Sequence, residues 1–247
     1  MVKSRRGMEI IPAIDVIRGK CVRLTRGDFN IKKVYKNSPL AFAKILESKG
    51  FKSLHIIDLE GSKMGRIVNW PTVRKIAKNC PVSLAFGGGV RKETEIEELF
   101  SAGVDKVILG ALIAKEPAVF EKILKKFGPN KIVAAVDIRK NGIYIYYDAW
   151  QKRKGVGVYS LLGWLEKLGV KTVMCTDIAR DGTLSGINVN IYRKLVKRFP
   201  RLQIIAAGGV RSIKDLKELS EAGVWGAIVG KAISEKRISL DDLKIFI

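Results

Sequence analysis

One pattern is written twice in this chain, 120 positions apart, and it limits the available folds more than any other feature. Val82–Ala114 reads VSLAFGGGVRKETEIEELFSAGVDKVILGALIA, and Gln203–Ala232 reads QIIAAGGVRSIKDLKELSEAGVWGAIVGKA. In both, an apolar run breaks at paired glycines, Gly88 and Gly89 or Gly208 and Gly209. A helical pattern follows to an Ala-Gly-Val, and a second apolar run ends in Gly110 or Gly230. Backbone amides close on an anion only where no Cβ intervenes, and a nearby helix start adds the positive end of its dipole. Each copy therefore reads as a cradle for a phosphate.

The repeat extends beyond the cradles. IIPAID, ending at Asp15, resembles VAAVDI around Asp137 at an offset of 122, and HIIDLEGSKMG resembles MCTDIARDGTLSG, with Asp58 and Asp177 offset by 119. Eight short apolar runs predict strands at Glu9–Ile14, Ser53–Asp58, Val82–Ala85, Lys106–Leu109, Ile132–Asp137, Thr172–Thr176, Gln203–Ala206 and Gly226–Val229. Apolar residues at three and four spacing predict helices between them, at Pro39–Lys49, Trp70–Lys78, Glu93–Ala102, Ala118–Phe127, Ser160–Lys167, Asn190–Phe199, Ile213–Ala222 and Ser239–Phe246. Gly50, Gly103, Gly128, Gly169 and Gly223 follow five of these helices and suit left-handed C-caps. Nearly all-apolar strands that alternate with helices imply a parallel sheet covered on both faces. With 247 residues, the expected fold is an α/β (βα)8 TIM barrel built from two similar half-barrels. The basic, unpatterned residues 1–7 read as a leader, expected to be unordered, before a single barrel domain over 8–247.

The formal charge of +22, from 46 Lys and Arg against 24 Asp and Glu, raises the question of nucleic acid. The basic residues are dispersed over predicted helix faces, such as Lys194, Lys197 and Arg198, with no aromatic-interleaved stripe. A solvated lysine-rich surface that draws in a small phosphorylated molecule fits better, and no nucleic-acid partner is expected. No apolar run reaches the roughly 18 residues of a bilayer span, and the N-terminus lacks signal-peptide features, so a cytoplasmic protein without a membrane partner is expected. Cys21, Cys80 and Cys175 have no CxxC spacing and suggest neither a disulfide framework nor a zinc site. His55 is the only histidine, which leaves no His-rich metal site and gives acid–base work mostly to carboxylates, Lys, Tyr or Cys.

Parallel barrels carry their sites at the C-terminal strand ends. Asp15 closes the first run and Asp137 the fifth, so the two face one another across the mouth between the cradles. Opposed carboxylates in a partly desolvated mouth can hold different protonation states, one as base and one as acid. Thr176, ending the sixth run, can bond a substrate hydroxyl or a protonated Asp137. Asp181-Gly182-Thr183 reads as a turn that orders over a ligand, with a plain turn as the alternative. Trp150 follows the hairpin-like GIYIYYDAW and either stacks on a flat heterocycle or packs on the rim. The segment Arg18–Phe29, with Arg23, Arg26, Gly27 and Asp28, is expected to be a lid loop, and Arg26 joins the candidate substrate contacts.

PAIDVIRGKCVRLTRGDF, HIIDLEGSKMG, FGGGVR, AVDIRKNGIYIYYDAW, TDIARDGTLSG, AAGGVRS and VGKA occur in an order that resembles a family of histidine biosynthesis. It is the isomerase family that acts on phosphoribosylformimino-5-aminoimidazole carboxamide ribonucleotide, and the resemblance covers nearly the whole chain from Met8. It implies an Amadori rearrangement of an aminoaldose to an aminoketose, a small bisphosphorylated ribonucleotide as substrate, and no metal or organic cofactor. It implies Asp15 as the base at C2 of the opened ribose, Asp137 as the acid that opens the ring, and Thr176 as its assistant. Gly88, Gly89, Gly110 and Ala111 would hold one phosphate, and Gly208, Gly209, Gly230 and Lys231 the other. A monomer is expected. The cyclase subunit of imidazole glycerol phosphate synthase shares the fold, cradles and aspartates, but its first strand resembles CLDV followed by GRVVKG, where this chain has PAIDVIRGKCVRLTRGDF. Tyr147-Asp148-Ala149-Trp150 departs from the isomerases, which more often have a basic residue and Gly before the Trp, and bears on whether phosphoribosylanthranilate is also a substrate. A non-catalytic phosphate- or nucleic-acid-binding barrel is a third reading, resting on charge and cradles alone.

Overall fold

The computed structural model describes residues 7–25, 27–139, 144–147 and 152–247; leader residues 1–6, Arg26 and Trp150 lie outside them. The strands in chain order are β1 (Glu9–Ile17), β2 (Lys20–Thr25), β3 (Asp28–Val34), β4 (Ser53–Asp58), β5 (Ser83–Gly87), β6 (Lys106–Leu109), β7 (Ile132–Arg139), β8 (Tyr144–Tyr147), β9 (Lys152–Lys154), β10 (Thr172–Asp177), β11 (Gln203–Ala207) and β12 (Gly226–Val229). Eight of them pair in parallel in the order β10-β11-β12-β1-β4-β5-β6-β7, and β7 pairs with β10 to close the ring. This is the expected (βα)8 barrel.

The ring is outlined by helices α1 (Pro39–Ser48), α2 (Leu59–Met64), α3 (Trp70–Asn79), α4 (Glu93–Ser101), α5 (Ala111–Lys115), α6 (Pro117–Phe127), α7 (Val158–Lys167), α8 (Val189–Arg198), α9 (Ile213–Glu221) and α10 (Lys231–Ser234). The strands can be apolar throughout because both faces are covered. On β1, Ile10, Ile14 and Val16 join the layer between sheet and helices, whereas Ile11 points into the barrel. There it meets Ile108, Val133, Met174, Ile205 and Ala207, a separate cluster that fills the interior. Burial of each Ile, Val or Met side chain there contributes about 1.5–3 kcal/mol. Above this plug a cavity opens at the C-terminal strand ends.

Two elements differ from the sequence expectation. The segment after β1 is a two-stranded antiparallel excursion, not a loop: β2 pairs back onto the end of β1, with Asp15 opposite Val22, and β3 pairs with β2. The excursion β8–β9 does the same after β7, with Asp137 opposite Tyr146, so the half-repeat includes a hairpin in each half. The expected last helix is a 3-10 turn over Asp242–Phe246. Ser239 and Asp242 exchange side-chain-to-amide bonds at 3.2 and 3.1 Å, and Leu243 is the only residue of this turn that is buried.

Tyr192 on α8 is fully buried, and its hydroxyl lies 3.0 Å from the Cys175 carbonyl and 2.8 Å from the Ala207 carbonyl, pinning β10 and β11 together beneath the second glycine pair. Tyr192→Phe keeps the ring and removes the only donor those bonds use. It should lower the urea midpoint by an amount equal to about 1 kcal/mol with an unchanged slope; no change in midpoint would mean that water replaces the hydroxyl.

Candidate active site

Cradle geometry is set by backbone pressed against backbone. Gly88 and Gly89 have φ of +113° and +83°, and Gly208 and Gly209 have +90° and +93°, a region that L side chains rarely adopt. A Cβ on Gly88 would collide with the Asp58 carbonyl, and one on Gly208 would lie 2.6 Å from the Asp177 carbonyl. The end of one strand thus presses on the glycine of the next in both halves. The loops beyond are fixed by the following helix. Glu95 on α4 accepts from the Arg91 and Lys92 amides at 2.8 and 2.9 Å, and Asp215 on α9, 120 positions later, accepts from those of Arg211 and Ser212 at 2.8 and 2.9 Å.

In the first half, Asp58 has 0% exposure and accepts from the amides of Gly61, Val68 and Asn69 and from the Asn69 side chain, all within 2.8 Å. Asn69 in turn accepts from the Gly19 amide at 2.9 Å, which ties the loop behind the first cradle to the start of the β2–β3 hairpin.

One cavity of about 270 Å³ opens at the C-terminal strand ends and is lined by both cradles. Gly88, Gly89, Gly110 and Ala111 stand on one side, Gly208, Gly209, Gly230 and Lys231 on the other, with Asp15, Asp137, Thr176, Asp181 and Gly182 between. β1 and β7 are four strands apart in the ring of eight, so Asp15 and Asp137 come from opposite walls. Thr176 on β10 is in register with Asp137 on the adjoining β7. The Lys231 ammonium donates to the Gly182 carbonyl at 2.6 Å and links the turn after β10 to the second cradle. Thr183 does not line the cavity; its hydroxyl donates to the Arg180 carbonyl at 2.6 Å and holds the turn itself.

Two side chains gain roles that sequence reasoning did not assign. Arg23, on β2, forms a buried ion pair with Asp15 at 2.6 Å and also donates to the Ala13 carbonyl. Arg23 follows Val22, the residue that the antiparallel register sets opposite Asp15. At Gly230 the absence of a side chain makes room for Arg23, because a Cβ there would run into the guanidinium. His55, on β4, is buried in the cavity wall, and both of its ring nitrogens lack a hydrogen-bond partner. Burial, assisted by Arg23, pushes its pKa down to about 3, so the ring is neutral at ordinary pH.

Asp181 is a third carboxyl at this centre. Burial first, then the Asp15 charge and more weakly Asp137, push it up to about 6 against the pull of Arg23. A carboxyl raised from 3.8 to about 6 takes up its proton at higher pH in the folded than in the unfolded chain. Its ionised form therefore weakens folding above pH 6, and the penalty fades as pH falls toward 4. Asp181→Asn should raise stability by about 1–3 kcal/mol at pH 8 and by almost nothing at pH 4. Urea midpoints at pH 4, 6 and 8 test this; an advantage of equal size at all three would rule out ionisation as the cause.

The chain matches the model of the histidine biosynthesis protein family over residues 9–239. It is 42% identical over 240 residues to a protein of Parabacteroides distasonis, covering 97% of this chain and 99% of that one. It is 41% identical to a protein of Francisella philomiragia subsp. philomiragia, over 95% and 98% of the two chains, and 39% identical to one of Phocaeicola vulgatus, over 97% and 99%. All three are named 1-(5-phosphoribosyl)-5-((5-phosphoribosylamino)methylideneamino) imidazole-4-carboxamide isomerase.

Proposed function

Because the chain belongs to the histidine biosynthesis protein family, we propose that it is the isomerase that converts the aminoaldose phosphoribosylformimino-5-aminoimidazole carboxamide ribonucleotide to its aminoketose by an Amadori rearrangement. The observation that carries this is the pair of glycine cradles on either side of Asp15 and Asp137 in one cavity. A substrate with a phosphate at each end spans such a mouth and brings its central sugar between the carboxyls.

Asp137 protonates the ring oxygen of the ribose. The C1–O bond breaks as the amino nitrogen lone pair forms C=N, giving a protonated Schiff base. Asp15 then takes the proton from C2, the C2–H electrons form C1=C2, and the nitrogen becomes neutral. Tautomerisation of the enol returns a proton to C1 and leaves a C2 ketone, so C2 is oxidised and C1 reduced within one molecule. That makes the enzyme an intramolecular oxidoreductase of the aldose–ketose class. Thr176 assists Asp137, Arg23 holds the Asp15 carboxylate in place, and Asp181 and Gly182 contact the substrate from the turn after β10. Ring opening and C2 deprotonation both fall to carboxylates, so this reading invokes no metal and no organic cofactor.

The relatives at 39–42% identity carry the isomerase name, which favours this reading over the cyclase subunit of imidazole glycerol phosphate synthase. The enzyme acts in the cytoplasm as a monomer, residues 8–247 being one barrel domain, without nucleic-acid or membrane partners; among the described residues no helix is long and apolar enough to cross a membrane.

The purified chain alone should convert the aminoaldose. Asp15→Asn and Asp137→Asn should each lower turnover by roughly 10²–10⁴-fold, with substrate affinity by calorimetry changed only a few-fold. Near-normal turnover in either variant would remove that residue from its role.

A further inference from the structure

The two halves of the barrel share the glycine turns and the opposed aspartates, and they differ at the layer just below. Ala13 in register with His55 on β4 corresponds to Ala135 in register with Met174 on β10. Next to them Gly87 corresponds to Ala207, at the offset of 120 that relates the cradles. The first half thus pairs an imidazole with a bare backbone position, where the second half has a thioether and a methyl.

The imidazole has no structural reason to be polar. It is 4% exposed, and neither nitrogen bonds to any protein group. An unsatisfied buried polar atom costs about 1–3 kcal/mol, and Met174 shows that an apolar side chain fits the equivalent position. Both nitrogens are closed off in the wall, so reaching a ligand requires the ring to turn, which costs it no bond. It has no protein hydrogen bond to lose, the terminal torsion of histidine is broad, and Gly87 presents only backbone toward Nε2, where a Cβ would lie at 3.3 Å. His55 lines the cavity together with Gly87, which directly precedes the first cradle. The group that follows a phosphate seated on Gly88 and Gly89 is its sugar, whose hydroxyls are the polar atoms nearest that wall.

We propose that His55 is a substrate-orienting residue: its neutral imidazole hydrogen-bonds a ribosyl hydroxyl of the end held in the first cradle. The bond distinguishes the two ends of a substrate that carries a phosphoribosyl group at each, because the equivalent position in the second half is Met174. This rests on the isomerase reading for the identity of the substrate, but the sugar-phosphate contact can be observed without turnover.

His55 is the only histidine of the chain, so ¹⁵N-histidine labelling gives the nitrogen signals of this one ring. Saturation with inorganic phosphate should leave them in place, and saturation with ribose 5-phosphate should shift them; equal response to both, or none, overturns the proposal. In parallel, His55→Met installs the residue of the other half, and His55→Gln keeps a hydrogen-bonding group. His55→Met should melt no lower than wild type yet lose about tenfold in kcat/KM on the aminoaldose, the worth of one neutral hydrogen bond. His55→Gln should recover most of that loss. Equal kcat/KM in wild type and His55→Met overturns the proposal. A wild-type protein that shows the nitrogen shift but no turnover supports the sugar contact and refutes the isomerase reading instead.

Discussion

The contact on which the rest of the structure depends is a carbonyl against a glycine. The Asp58 carbonyl occupies the space where a Cβ on Gly88 would be, and the Asp177 carbonyl does the same to Gly208. With no side chain in the way, the end of each neighbouring strand closes directly over the turn, and the turn's glycines line the cavity. Any other residue would have to move a barrel strand, whose register on both sides is fixed by its neighbours. The position of each glycine turn is therefore tied to the strands of the barrel.

Electrostatics then divides the labour among three carboxyls. Asp15 is matched to a buried guanidinium at 2.6 Å, while Asp181 meets mainly burial and like charge. By strand register the place that Arg23 takes in the first hairpin falls to Tyr147 in the second, so the two halves offer different surroundings to their aspartates. One repeated fold pattern thus gives its two opposed aspartates unlike neighbours. The excess of 46 basic over 24 acidic residues adds a field that attracts doubly phosphorylated molecules.

The barrel was legible because strands covered on both faces read as unbroken apolar runs; Ser53–Asp58, Lys106–Leu109 and Gly226–Val229 agree residue for residue with the expected strands. The glycine turns were legible for a similar reason, since a positive φ under a neighbouring carbonyl favours glycine. The β2–β3 hairpin was not. KCVRLT and DFNIKKV mix polar and apolar residues, and nothing in them says that the first pairs back onto β1. The Arg23–Asp15 pair was hidden with it, because it exists only once that antiparallel register is known. His55 was visible as an oddity in an apolar run, but its missing partners are a fact of three dimensions. Thr183 was placed with the substrate contacts, whereas its hydroxyl is used within its own turn.

Glu235, just past the second cradle, accepts from the Tyr35 hydroxyl at 2.6 Å and from the Lys33 ammonium at 2.8 Å. Lys33 lies on β3 and Tyr35 immediately follows it, so the hairpin of the first half is laced to the last loop of the second. Part of the rim is thus assembled during folding, when its loss of conformational freedom is offset by the whole barrel. A ligand that arrives later meets segments already in place and gives up little entropy to order them, so more of its contact energy remains as affinity.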